Sequence, residues 1–122
     1  MEIQYRLKKD GKFVGYSREI GTRYFFSKDG FWWNGSEIDY DDKDLFTGVK
    51  DRNRNKIFVG DVVEWQSQQN VQRGIVVFGQ DQNCVIENNI TQEIIPLFFE
   101  GEMVAFDNSL VVVGYVNSTE HL

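Results

Sequence analysis

Residues with branched β-carbons dominate this chain and limit the folds open to it. Fourteen Val, nine Ile and four Thr stand against only five Leu and one Ala. Strands favour β-branched and aromatic side chains, whereas helices favour Ala and Leu. The 122 residues are 41% hydrophobic and 26% charged, as is typical of a globular protein and not of a disordered one. The sequence therefore predicts a mainly β fold and disfavours helical bundles, coiled coils and doubly wound α/β folds.

The first part of the chain, residues 1–44, has the pattern of a small β region with short strands and glycine turns. Asp10-Gly11 is a hairpin signal, because the tight type I′ turn needs positive φ at both central residues. Asp29-Gly30 is a second such signal and predicts a hairpin between strands at 23–27 and 31–34. We therefore expect hairpins in this region.

A longer β region is predicted for residues 45–122. Several of its strands are apolar on both faces. In a single sheet with one solvent-exposed face, apolar and polar residues should alternate along each strand. Strands that are apolar on both faces favour a small closed barrel or a tight sandwich. The acidic stretch Glu37–Asp44 is the candidate joint between the region of residues 1–44 and this second region.

Four segments of the second region have local predictions. Gly60 interrupts the apolar run around it, where strands often bend or bulge. The polar segment Gln66–Gln72 is predicted to be a loop. Pro96 is predicted to lie in or near an edge strand, because proline cannot donate to a neighbouring strand. Asn89–Ile94 is a candidate for a single helical turn.

The charge distribution limits the partners that we expect. The net charge is −6, but residues 1–36 carry a net charge of +3, whereas residues 62–122 have eight acidic residues and one basic residue. An acidic chain is a poor general binder of polyanions, so contact with nucleic acid would have to come from the first half. The N-terminal sequence has no apolar stretch typical of a signal peptide, and no apolar run approaches a membrane span. We therefore expect a cytoplasmic protein that does not enter a membrane.

The chain lacks most residues that catalysis requires. Its one histidine, His121, lies next to the last residue, where chains commonly fray. Its one cysteine, Cys84, has no neighbouring cation that would lower the thiol pKa, so a buried, unreactive thiol is expected. The acidic stretch Glu37–Asp44 offers oxygen ligands for a weak divalent-cation site, but it lacks the glycine and spacing of an EF-hand and is more typical of a solvated linker. We expect no catalytic residues, no metal and no cofactor.

An aromatic cluster in the first region is a candidate contact surface. Its members are Tyr24, Phe25, Phe26, Phe31, Trp32 and Trp33. Phe31, Trp32 and Trp33 are consecutive, and successive residues of a strand point to opposite faces. The two tryptophans therefore do not enter one core, and at least one is expected to be exposed or to contact a partner. The alternative is a thin sheet that packs both tryptophans between two layers.

A basic segment, Lys50–Lys56, is the second candidate surface. It has four basic residues in seven, among them Arg52, Arg54 and Lys56. These side chains would contact phosphates if nucleic acid binds. The Asn-rich composition is also that of an ordinary hairpin turn, and we favour the turn.

The segment Leu45–Val63 resembles the YopX family of bacteriophage and prophage proteins. The matching residues are Phe46, Thr47, Gly48, Lys50, Asp51, Ile57, Gly60, Asp61 and Val63. The family usually has glycine where Arg54 stands. The glycines of this motif are expected to adopt backbone conformations that a Cβ penalises, and Asp51 and Asp61 to accept hydrogen bonds from turn amides.

The resemblance extends to both ends of the chain. The opening residues 2–6 and the closing residues 113–117 are similar to the family's first strand and ending. The segment 60–63 followed by 74–77 also looks like the opening strands of an SH3-like barrel. The resemblance implies a phage-derived protein without established activity, and it assigns no functional residue.

Together these observations predict a small N-terminal β region followed by a C-terminal SH3-like β-barrel. The function expected is that of a non-enzymatic phage or prophage accessory protein. It would act through protein–protein contact at Phe31, Trp32 and Trp33, or as a homo-oligomer. The alternative is a nucleic-acid-binding protein that uses the basic first half and the Lys50–Lys56 segment.

Overall fold

The computed structural model consists of strands and turns, and no helix occurs among the described residues. The described residues are 2–30, 32, 36–67, 70–79, 84–96, 98–99, 102–103 and 110–116. The predicted mainly β class is confirmed. By its internal contacts the chain divides into an N-terminal unit, Met1–Phe46, and a C-terminal unit, Thr47–Leu122.

The described part of the N-terminal unit is an antiparallel sheet. Its strands are β1 (Glu2–Lys9), β2 (Lys12–Ile20), β3 (Arg23–Ser27) and β4 (Asp42–Lys50), the last of which continues into the C-terminal unit. The order across the sheet is β3-β2-β1-β4. The β1–β2 turn contains Asp10 and Gly11 at φ 53° and 78°, as a type I′ turn requires. The first predicted hairpin is therefore confirmed.

The second predicted hairpin, across Asp29-Gly30, needs a correction. Trp32, the described residue of its expected second strand, lies in a turn. The Ser27 hydroxyl donates to Asp29 Oδ1 at 3.1 Å and accepts from the Gly30 amide at 2.9 Å. Such local side-chain hydrogen bonds favour a turn over continued strand pairing. The argument that alternation separates the two tryptophans therefore does not apply to Trp32.

The acidic stretch Glu37–Asp44 lies within the N-terminal unit. Its Ile38 is only 8% exposed, and the Asp41 amide donates to the Lys8 carbonyl at 2.9 Å. From Asp42 onward the stretch is strand β4. Apolar burial and backbone pairing thus determine the position of a segment whose composition resembles a solvated linker.

The C-terminal unit contains the remaining strands. They are β5 (Lys56–Phe58), β6 (Asp61–Ser67), β7 (Asn70–Phe78), β8 (Cys84–Asn88), β9 (Ile94–Pro96), β10 (Phe98–Phe99), β11 (Glu102–Met103) and β12 (Val111–Tyr115). One antiparallel sheet has the order β12-β6-β7-β8-β9, and β10 and β11 form a separate pair. The sheets are not closed into a barrel in the described part of the chain, so SH3-like closure is not confirmed.

The core of the C-terminal unit lies on one face of this sheet. Val63 on β6, Val76 on β7 and Ile86 on β8 are fully buried, and residues that alternate with them are more exposed. This alternation follows from the period of two in a strand. The face that carries these buried side chains is called the inner face, and the opposite one the outer face.

Of four local predictions in this sheet, two are confirmed, one is confirmed in part and one is wrong. Gly60, at φ 97°, separates β5 from β6, so the apolar run turns there. Pro96 lies in β9, at one end of the strand order. The predicted loop Gln66–Gln72 is wrong, because β6 and β7 pair up to Ser67 and Asn70. Asn89–Ile94 contains one isolated turn, closed by the hydrogen bond from the Gln92 amide to the Asn88 carbonyl, and Ile94 begins β9.

Candidate interaction surfaces

The residues that resemble the phage family form the corner between β4 and β6. The Thr47 hydroxyl donates to the Ile57 carbonyl at 2.7 Å and accepts from the Val49 amide at 3.2 Å. Gly48 has φ 90°, a conformation that side chains rarely adopt. Thr47 and Gly48 therefore fix how β4 ends, and the expectation for Gly48 is confirmed.

Asp51 is the centre of the turn that follows β4. Its carboxylate is 5% exposed and accepts hydrogen bonds from the backbone amides of Asn53 at 2.8 Å, Asn55 at 2.9 Å and Val112 at 2.9 Å. A carboxylate that accepts several amide hydrogen bonds holds a turn in one geometry. The predicted structural role of Asp51 is confirmed, and its link to β12 is a contact that the motif did not predict.

Asp61 performs the same task at the next turn. It is fully buried, and its Oδ2 accepts a hydrogen bond from the Phe58 amide at 2.8 Å. The Gly60 amide donates to the Val76 carbonyl at 2.8 Å. These motif residues therefore build the corner.

The residues of the Asp51 turn that were predicted to contact phosphate differ in their solvent exposure. Arg52 and Arg54 are exposed, whereas Lys56 is half-buried at the start of β5. Arg54 has φ 69°, in the left-handed region that glycine favours. The Arg52 amide donates to the Leu110 carbonyl at 2.9 Å, so the base of this basic turn is fixed. The structure therefore places two guanidinium groups on a rigid turn.

Arginine and aromatic side chains meet on one face of the N-terminal sheet. The Arg18 guanidinium lies 5.9 Å from the centre of the Phe25 ring and 5.3 Å from that of Trp32. It also forms an ion pair with Glu2. On the same face the Arg6 guanidinium lies 4.3 Å from the Phe13 ring. These distances are within the range of cation–π contact.

We call Arg6, Phe13, Arg18, Phe25 and Trp32 the arginine–aromatic surface. Phe13 is 42% exposed, and Phe25 and Trp32 are half-buried. Trp32 was expected to be a contact residue and lies in this surface, whereas Phe31 and Trp33 lie outside the described residues. Phe25 belonged to the predicted aromatic cluster, whereas sequence reasoning missed Phe13 and Arg18. The register of β2 with β3 places Arg18 directly opposite Phe25.

Arg6 of this surface also belongs to a buried group of charges. Arg6 pairs with Asp44 at 2.8 Å, and the Lys8 ammonium contacts Asp44 at 3.0 Å and Asp42 at 3.4 Å. Lys8 is 4% exposed. Burial lowers the pKa of Lys8, but the two carboxylates offset this effect, and its pKa lies above its ordinary value. These basic residues are neutralised within the protein.

The other side chains considered for chemistry in the sequence are the cysteine, possible metal ligands and the histidine. Cys84 is buried, as expected, and burial raises the pKa of its thiol, which keeps it protonated at neutral pH. In the part of the chain that the structure describes, no three His, Cys, Asp or Glu side chains are grouped to hold a metal ion. His121 lies outside that part.

Among the described residues, no helix has the length and hydropathy needed to cross a membrane. Comparison with known proteins adds no relative, because no protein-family model, no curated protein and no solved structure matches the chain.

Proposed function

We propose that this protein is a non-enzymatic interaction module that binds a protein partner through the arginine–aromatic surface. The observation that carries the proposal is the contact of the Arg18 guanidinium with the half-buried rings of Phe25 and Trp32, on the same sheet face as the 42% exposed ring of Phe13. Trp, Tyr and Arg are enriched at the residues that dominate binding energy in protein interfaces. Because their rotamers are already fixed, binding loses little side-chain entropy.

The buried charges favour a protein partner over a polyanion at this surface. Arg6, Lys8 and Arg18 are already paired with carboxylates, so they add little attraction for phosphate. What the surface offers a partner is aromatic area with planar cations between the rings. Such a surface suits an apolar or aromatic patch on another protein, including a second copy of this chain.

The family and the detailed fold of the C-terminal unit are a second part of the proposal. We infer a YopX-like phage or prophage accessory protein of the bacterial cytoplasm whose second half is SH3-like. The motif residues Thr47, Gly48, Asp51 and Gly60 support this inference, because each has a backbone role that explains why the motif needs that residue type. The strand order supports it too, since the last strand lies beside β6 and the strands from β6 to β9 follow as neighbours.

Paired substitutions test the surface. Phe13→Ala and Trp32→Ala each remove one ring from it, and Tyr24→Ala removes a 64% exposed ring from the opposite face of the same sheet. Immobilised wild type and Tyr24→Ala should retain the same proteins from a bacterial host lysate. The two surface variants should lose at least tenfold of that retention while keeping the wild-type circular dichroism.

Sedimentation velocity of the same variants tests the second-copy form of the proposal. Self-association that is weakened by Phe13→Ala and Trp32→Ala but not by Tyr24→Ala supports it. If all variants capture the same proteins and sediment alike, the arginine–aromatic surface is not the binding site.

A second function, nucleic-acid binding, is favoured by the basic turn. Arg52 and Arg54 are exposed, and among the described residues no carboxylate forms an ion pair with either. The Asp51 carboxylate holds the turn from below, so the two side chains are displayed on a fixed backbone. Two such cations would contact neighbouring phosphates without loss of backbone entropy.

Fluorescence anisotropy with single- and double-stranded oligonucleotides tests this second function. Combining Arg52→Gln with Arg54→Gly removes both charges, and glycine suits the φ of position 54. The slope of log affinity against log salt should fall by about one per lost phosphate contact. Arg73→Gln removes a 57% exposed cation that lies outside both basic regions; it is the control and should change neither affinity nor slope. No binding by wild type at low salt excludes this function.

A further inference from the structure

A small pocket opens on the outer face of the C-terminal sheet. Its volume is about 260 Å³, and its lining residues are Ile75, Val77, Glu87, Asn88, Asn89 and Gln92. Ile75 and Glu87 are directly opposite each other on β7 and β8. The apolar side chains of β7 form the floor, and the β8–β9 turn forms the rim. The pocket therefore combines an apolar base with one carboxylate and several amides.

The carboxylate of Glu87 lies in an apolar row. Its neighbour on β7 is Ile75 and its neighbour on β9 is Ile94, which is 63% exposed. In the described part of the C-terminal unit no basic group forms an ion pair with Glu87. Arg73 is the one basic residue of positions 62–122, and its Nε donates to Glu64 at 2.9 Å. The cation that the pocket would attract is therefore not supplied by the neighbouring strands.

The rim of the pocket is held in a fixed conformation. The Asn88 side chain accepts hydrogen bonds from the amides of Ile90 at 2.9 Å and Thr91 at 3.1 Å, and donates to Gln72 Oε1 at 3.0 Å. Gln92 has φ 59°, and its amide donates to the Asn88 carbonyl at 3.0 Å. The amide side chains of Asn89 and Gln92 are exposed beside the opening, where their oxygens can accept hydrogen bonds.

We propose that this pocket binds the guanidinium group of an arginine side chain or of a small alkylguanidine. A guanidinium has five donors in a plane, which match one carboxylate and nearby amide oxygens. Its alkyl stem would lie over Ile75 and Val77, as arginine stems do on apolar surfaces. The eight acidic residues of positions 62–122 add long-range attraction for such a cation. This site is separate from the arginine–aromatic surface and does not depend on the function proposed for it.

Amide chemical-shift titrations test the proposal with defined probes. Ethylguanidinium, acetyl-Gly-Arg-Gly-amide and acetyl-Gly-Lys-Gly-amide are added to the full chain in separate experiments. We expect the two guanidinium probes to shift the amides of Ile75, Val77, Glu87 and Gln92 with saturation, and the lysine peptide to bind at least threefold more weakly. Tighter binding of the peptide than of ethylguanidinium indicates an arginine in a protein, whereas equal binding indicates a small guanidine.

Two matched glutamate variants test whether the guanidinium binds at this pocket. Glu87→Gln should weaken guanidinium binding about tenfold, because it removes the charge and keeps the shape. Glu93→Gln changes an exposed glutamate of the same turn that does not line the pocket and should leave the affinity unchanged. Equal losses in both variants would show nonspecific attraction and overturn the proposal. Equal or tighter binding of the lysine peptide, or no saturable shifts at these amides, would overturn it as well.

Discussion

The two units bury different kinds of side chain. Among the described residues, the N-terminal unit buries two apolar side chains, Leu7 and Ile38, and four polar ones, Arg6, Lys8, Ser17 and Ser27. The C-terminal unit buries nine apolar side chains, Val49, Ile57, Phe58, Val63, Trp65, Val76, Cys84, Ile86 and Leu110, and three polar ones, Asp51, Asp61 and Asn88. Each unit therefore buries two charged side chains among its described residues, but only the C-terminal unit buries many apolar side chains beside them.

The buried polar groups also have different partners. In the C-terminal unit Asp51, Asp61 and Asn88 accept hydrogen bonds from backbone amides, and so each fixes a turn. In the N-terminal unit Arg6 and Lys8 pair with side chains on the neighbouring strand. Cross-strand pairs stabilise one register of two strands over others. The comparison teaches that the first unit depends on matched charges, whereas the second depends on apolar burial and fixed corners.

The largest effect is expected from breaking the charge group of the N-terminal unit. Asp44→Ala leaves Arg6 and Lys8 buried without their shared partner and should cost about 3–5 kcal/mol. Hydrogen exchange should show the loss of protection in β1 and β4. Asp39→Ala removes an 82% exposed partner of Lys9 and should leave the exchange unchanged. Equal effects of the two variants would contradict the importance of the buried pairs.

The apolar core of the C-terminal unit provides the second prediction. Ile86→Ala removes a fully buried side chain and should lower the free energy of unfolding by about 3 kcal/mol. Ile94→Ala removes the same atoms from a 63% exposed position and should change it by less than about 0.5 kcal/mol. Urea unfolding measures both variants. If their losses are similar, Ile86 does not belong to the core of this unit.

Alkaline pH should weaken the two units in sequence. Cys84 and Lys8 both have a raised pKa in the folded protein, so each contributes stability below its ordinary pKa and loses it as pH rises through the folded value. Ordinary values are about 8.5 for a thiol and 10.4 for lysine, so the C-terminal unit should weaken first. Hydrogen exchange corrected for pH locates each loss. Cys84→Val should reduce the loss of protection in the C-terminal unit at the lower pH and leave the later loss in the N-terminal unit unchanged.

The smallest effect concerns the basic turn. Arg54→Gly places glycine at φ 69° and should raise the free energy of unfolding by about 0.5–1 kcal/mol. Arg52→Gly lies in the same turn without a positive φ and should lower it by a similar amount, because glycine makes the unfolded chain more flexible. Thermal unfolding compares the two. A lower melting temperature for Arg54→Gly would show that its backbone is not strained.

The sequence predicted those parts of the structure that depend on neighbouring residues. Asp10-Gly11, Gly48 and Gly60 act through their own backbone angles, and Asp51 acts on amides two and four residues away. These effects are local, so a single sequence shows them.

Features that depend on distant residues were not predictable in the same way. The pair of Arg6 with Asp44 joins residues 38 positions apart, and it exists only in one register of β1 with β4. The turn at Trp32 was missed because the aromatic residues around it favour a strand. The hydrogen bond between Ser27 and Asp29, which favours a turn, cannot be read from the sequence. The pocket beside Glu87 depends on the register of β7 with β8, which no motif indicates.

Pro96 affects how far the C-terminal sheet can polymerise. Proline has no backbone N–H, so β9, three residues long, offers an incoming strand a defective edge. The other outer strand of that sheet, β12, has the sequence Val-Val-Val-Gly-Tyr and no proline. The Val112 amide of β12 already donates to the Asp51 carboxylate at 2.9 Å, so the Asp51 turn covers part of this edge. In the described part of the chain, both outer strands of this sheet are therefore poorly suited to the edge-to-edge pairing that starts a fibre.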